Sequence, residues 1–120
     1  MKQGKIVAAH KALLNLNEQR LSLTSAYAVY KLLKETQKAW DFQVEQEEKI
    51  FTKLKPKQEK KNNWKFANPD DAKDFADFMK ELADMESDVE IKPITIRLSE
   101  EISVTPSDIN ALDGFVTFEE

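Results

Sequence analysis

A chain of 120 residues, 41% hydrophobic and 33% charged, is long enough for one domain with one modest core and well-solvated helical faces. Its formal charge of −4 argues against general adhesion to nucleic acid or anionic membrane, although a local patch can still act. The absence of cysteine excludes disulfides, thiolate chemistry and cysteine metal sites.

The first predicted helix covers roughly Lys2 to Leu16. Ile6, Ala9, Leu13 and Leu16 form a three-four-three stripe, widened by Val7, Ala12 and Leu14. The leading segment carries lysines, but its apolar run is broken by His10 and Lys11, unlike a signal peptide. Short amides at Asn15 and Asn17 end the helix by competing for backbone bonds.

A second helix starts at Ser22, with Ser22 or Thr24 as its cap, and runs without Pro or Gly to Leu54. At 1.5 Å per residue it forms a rod of roughly 50 Å. Leu23, Ala26, Tyr30, Leu33, Trp40, Val44, Phe51 and Leu54 share one alternating spacing, broken by Gln37 and Glu47, and are expected to form its core stripe. The short link predicts an antiparallel hairpin, residues 1–54, in which the first helix covers only the first half of the rod. The reverse face, with Tyr27, Leu32, Ala39, Phe42 and Ile50, then either supports a small sheet or meets a partner.

Residues 55–67 read as a polar, lysine-rich loop, with strand-like alternation at Trp64-Lys65-Phe66. Asn68-Pro69-Asp70-Asp71 is a helix start, with Asn68 as cap and the aspartates opposing the positive helix end. The third helix spans 68–87 and packs Phe75, Met79 and Leu82 over the second half of the rod.

In the tail, 88–120, Val89, Ile91, Ile94, Ile96 and Leu98 alternate with polar residues, and the phase slips at Lys92-Pro93, as in an edge strand or bulge. Ile102 and Val104 are expected to extend the sheet. Thr105-Pro106-Ser107-Asp108 opens a short helix ending at Gly114, and a last strand follows at Phe115–Phe118. The fold class is α+β and mostly α: an antiparallel helical hairpin with one long helix, a third helix and a small C-terminal β-sheet.

Chemistry is sparse. His10, the one histidine, has no further ligands at useful spacing and reads as a surface or boundary residue. Asp70, Asp71 and Asp74 are explained by the helix N-terminus they occupy. No serine sits in a glycine-flanked elbow, and two glycines cannot build a phosphate cradle. No catalytic, metal or cofactor site is therefore expected. Tyr27, Trp40 and Phe42 are either aromatic anchors of an interface or internal core. Lys57, Lys60 and Lys61, with Trp64, are the candidate nucleic-acid contacts, since lysines neutralise phosphates and aromatic faces stack on bases; a charged loop over the core is the competing explanation.

The order of features resembles small uncharacterised proteins carried by phages and prophages, mostly of Gram-positive bacteria. The residues that carry the likeness are Leu21–Leu33, Phe75–Leu82, Val89–Ile94 and Thr105–Leu112. The likeness spans nearly the whole chain, and its motifs are packing and capping patterns. It implies a phage-related origin, an α+β fold and no catalytic residues. The functional expectation is a non-enzymatic phage or prophage protein acting through protein–protein contacts, as a virion or assembly component or a modulator of a host protein. Self-association is one form such contact would take. The expected setting is the bacterial host cytoplasm or the virion, without membrane insertion. The alternative is a nucleic-acid-binding accessory protein using the lysine-rich segment 53–66.

Overall fold

A computed structural model describes residues 1–54, 57–60, 63–65, 69–97 and 102–119, with 57–60 and 63–65 described by their backbone. The chain is mostly helical. Helices α1 (Gln3–Asn17) and α2 (Leu23–Leu54) lie side by side. The pairing is antiparallel: Gln3 Nε2 donates to the Ala39 carbonyl at 2.7 Å, whereas His10 meets Thr36 at 2.7 Å, so numbers rise along one helix and fall along the other. The Ser22 hydroxyl accepts the Ser25 N–H at 3.2 Å and caps the entry to α2.

On α1 the expected stripe is the buried one: Ile6, Ala9, Leu13 and Leu16, with Val7 and Ala12 beside them. On α2 it is not. The buried residues are Ser25, Val29, Leu32, Thr36, Ala39, Ile50 and Leu54, which also follow a three-and-four spacing, one helical face away. Of the expected stripe only Leu54 is buried, whereas Leu23, Tyr30 and Val44 are exposed. Leu32, Ala39 and Ile50, expected on the reverse face, belong to the core side.

The reason is that the face against α1 is built from small or self-satisfied polar side chains, which a count of large apolar residues overlooks. Ala39 and Ser25 present little bulk. The Thr36 hydroxyl lies 3.1 Å from both the Leu32 and Leu33 carbonyls, so its polarity is matched inside its own helix. Gln37 is exposed and bonds Asp41 at 2.8 Å, and Glu47 accepts from Gln43 at 3.0 Å, so neither polar residue breaks the true stripe.

Helix α3 (Pro69–Asp84) packs on both earlier helices. Phe75 stacks on Phe51 with ring centroids 5.5 Å apart, which covers part of the far end of α2. The expected cap at Asn68 lies outside the described residues. The helix stops at Asp84, a turn before the expected 87, because the chain there is drawn to the start of α1. The Met85 carbonyl accepts the Gln3 N–H at 2.8 Å and the Met1 carbonyl accepts the Ser87 N–H at 2.9 Å. Gly4 makes the approach possible, since a Cβ at that position would lie 2.9 Å from the Ala83 Cβ.

The segment expected as a basic loop contains two paired strands, β1 (Lys57–Lys60) and β2 (Asn63–Lys65). They are antiparallel, with Lys57 opposite Lys65 and Gln58 opposite Trp64. The strand-like alternation expected at Trp64-Lys65 is thus half of a hairpin, and the loop expectation for Lys57 and Lys60 is corrected. Lys61 lies outside the described residues.

Strands β3 (Ile94–Arg97) and β4 (Val116–Glu119) form a parallel pair in which Ile94 faces Val116 and Ile96 faces Phe118. Parallel pairing needs a crossover, and the intervening residues supply one through α4 (Pro106–Ala111). Thr105 Oγ1 accepts the Asp108 N–H at 3.1 Å to start α4, and Gly114 adopts φ 84° at the turn after it. Val89–Pro93 is not strand: β3 begins only after Pro93, which has no N–H to give a ladder. Ile102 and Val104 likewise lie outside the sheet but pack on the core, and Leu98 is outside the described residues. The core joins α1, the first part of α2 and this unit, with Leu13, Leu16, Val29, Leu32, Ile96, Leu112 and Phe115 sealed from solvent.

Candidate interaction surface

Because the buried face of α2 includes small and polar residues, several of its larger apolar side chains are left outside. Leu23 is 88% exposed, Tyr27 59% and Tyr30 48%. The two tyrosine rings stack with centroids 6.2 Å apart. Lys31 Nζ sits 5.3 Å from the Tyr27 ring centroid and Lys34 Nζ 4.8 Å from that of Tyr30. The Tyr30 hydroxyl, first by its hydrogen bond and then by its charge interaction, holds the Lys34 ammonium above its ordinary pKa. Beside Tyr27 runs a groove of about 320 Å³, with Lys31, Glu35, Lys92 and Pro93 in its wall. The Lys92 N–H donates to Glu35 Oε2 at 3.3 Å, holding the segment after α3 against α2.

Phe42 is half-buried further along the same side of the rod. It lines a groove of about 540 Å³ with Lys38, Met85, Glu86, Asp88 and Glu90. A second groove of about 510 Å³ adjoins it across Met85, between Phe78, Leu82, Glu81 and Asp84. The carboxylates here are mostly open; Glu86 binds the N-terminal ammonium at 3.0 Å, and Asp84 lies 3.9 Å from Lys2.

Trp40 is placed apart from Tyr27 and Phe42. It is half-buried on the α1 side, where it stacks on His10 at 5.1 Å and receives Lys11 Nζ at 5.7 Å from its centroid. Two residues on a helix separate Trp40 from Phe42 by about 200°, so the three aromatics cannot form one patch.

His10 is not a boundary residue. It is 2% exposed, bonded to Thr36 and pushed below the ordinary imidazole pKa by burial, with Asp41 acting weakly in the opposite sense. When the Thr36 hydroxyl donates to the Leu32 or Leu33 carbonyl, its oxygen is left to accept the Nδ1–H of His10. Sequence spacing missed this pair because position 36 was not on the expected stripe.

It also missed Tyr30, Lys34, Met85 and the acidic run Glu86–Glu90 as surface features. The signal was present in Tyr27, Tyr30, Lys31 and Lys34, which are three- and four-residue neighbours on one turn-to-turn face. Among the described residues no group of three or more His, Asp or Glu could hold a metal ion, and no helix is long and apolar enough to cross a membrane. Comparisons with protein-family models, curated proteins and solved structures find no match to this chain.

Proposed function

We propose that this is a non-enzymatic phage or prophage protein that works through protein–protein contacts in the bacterial host cytoplasm or the virion. It would serve as a virion or assembly component, or bind and modulate a host protein. The phage attribution rests on the order of helices, capping motifs and tail segments described for the sequence. The observation that carries the binding reading is the uncovered Leu23–Tyr27–Tyr30 face of α2. Large apolar and aromatic side chains on successive turns of one rigid helix are the ordinary material of interface anchors.

A photocrosslinking amino acid in place of Tyr27 should give a protein adduct in cells that carry the rest of the phage genome. The same substitution at exposed Ala72, on α3, should give none. Equal yields at both sites, or none at either, would reject the reading.

A second reading, nucleic-acid binding, is favoured by the hairpin register that brings Lys57 and Lys65 to one rung, since clustered lysines neutralise phosphates. Single-stranded DNA binding that weakens steeply with salt is expected on this reading. It should be lost on joint replacement of Lys57, Lys60 and Lys61 by Gln. Unchanged binding in that variant would remove the hairpin from consideration.

A further inference from the structure

The face that carries Tyr27 and the groove that contains Phe42 are two ends of one strip. Along α2 the strip runs through Leu23, Tyr27, Lys31, Lys38 and Phe42, about 28 Å from first to last. The segment from Met85 to Pro93 borders it, with Glu86–Glu90 beside Phe42 and Lys92 beside Tyr27 and Glu35. The charges are sorted along its length. At the Tyr27 end stand Lys31, Lys34 and Lys92; at the Phe42 end stand Glu86, Asp88 and Glu90. On α2 each end contains one side chain of the opposite sign, Glu35 at the first and Lys38 at the second, and Glu86 is already paired with the Met1 ammonium.

We propose that the occupant of this strip is a second copy of the chain, docked antiparallel about a twofold axis near the middle of α2; this rests on the protein-contact reading above and names the partner. A twofold axis pairs each residue with its image at the other end. With the axis between positions 36 and 37, Lys31 of one copy falls opposite Phe42 of the other, against Asp88 and Glu90. Glu35 falls opposite Lys38, so the two residues that break the charge sorting are matched to each other. A parallel docking would instead set Lys31 and Lys34 against themselves. The apolar content suits the same geometry: Tyr27 of one copy falls opposite Gln46 of the other, at the groove where Phe78, Leu82 and exposed Met85 form an adaptable apolar floor. Because the contact is isologous it closes as a dimer and does not propagate.

The test is charge reversal with complementation. Light scattering on the intact chain over a range of concentrations should show a monomer–dimer equilibrium that weakens with added salt. Replacing Lys31 and Lys34 by Glu turns the Tyr27 end net acidic like the other, and replacing Asp88 and Glu90 by Lys turns the Phe42 end net basic like the first. Each variant alone should dimerise at least about tenfold more weakly, while an equimolar mixture should recover a heterodimer. All four positions are exposed, and circular dichroism should show native helix content in both variants. A chain that is monomeric at every concentration, or a mixture that stays monomeric, overturns the dimer. Photocrosslinking at Tyr27 separates this failure from that of the broader reading: adducts to another protein without self-adducts overturn the dimer alone, and no adduct of any kind overturns both.

Discussion

Replacing Leu32 by Ala is expected to lower stability by about 2–5 kcal/mol, whereas replacing Leu23 by Ala should change it by less than about 0.5 kcal/mol. Both residues are leucines of α2, and the periodicity of the sequence favours Leu23 as the core member. In the fold Leu32 is sealed from solvent among the residues of α1 and the C-terminal unit, and Leu23 is almost wholly outside. Removing the Leu32 side chain withdraws buried methyl groups from a close-packed site and leaves a cavity that the helices on either side fill only in part. Removing that of Leu23 takes away surface that is already wet. Urea unfolding of the two variants against the parent measures the difference directly. Equal costs would mean that α2 is rotated relative to α1, with its large apolar face inward after all.

The rotation of α2 also explains how far the sequence could be read. Helix limits were legible because their signals are local: an uninterrupted run from Ser22 to Leu54, a Pro-Asp-Asp opening at Pro69, and a Thr-Pro-Ser-Asp start whose Thr105 caps α4. The face of α2 was not legible, because two competing stripes share the same period. The winner contains Ser25, Thr36 and Ala39, whose fitness for the core depends on how closely α1 approaches and on what His10 offers across the gap. That information is tertiary. The same holds for the tail. The hydrophobic alternation from Val89 to Leu98 suggests one long strand, but Pro93 and the tie from Lys92 to Glu35 delay the strand to Ile94. The parallel partner was not readable either, since strand direction depends on the crossover through α4 rather than on the residues that pair. Of the candidate contact residues, Tyr27 lies on open surface, Phe42 in a groove wall and Trp40 against His10. Aromatic content drew attention to all three, but only the phase of the helix distinguishes them.

Thr36→Val should cost about 1–3 kcal/mol even though it makes the core more apolar and preserves its shape. The hydroxyl is the partner of His10 Nδ1 at 2.7 Å, and Val would leave that ring N–H buried without an acceptor. The penalty arises from removing one half of a buried polar pair. Replacing both halves, His10 by Leu together with Thr36 by Val, should therefore be less damaging than Thr36→Val alone. The same burial sets a pH dependence. The folded state holds the His10 pKa below its unfolded value of 6.5, so the unfolded chain takes up a proton first as pH falls. The stability contributed by neutral His10 is complete above 6.5 and is lost progressively below it, down to the lowered folded pKa. Most carboxylates titrate further into acid, which leaves the interval between about pH 7.5 and about pH 5.5 chiefly to the histidine. Urea midpoints across that interval should fall for the parent chain and stay nearly level for the His10→Leu variant. A variant that loses stability on acidification as steeply as the parent would show that His10 is not the responsible group.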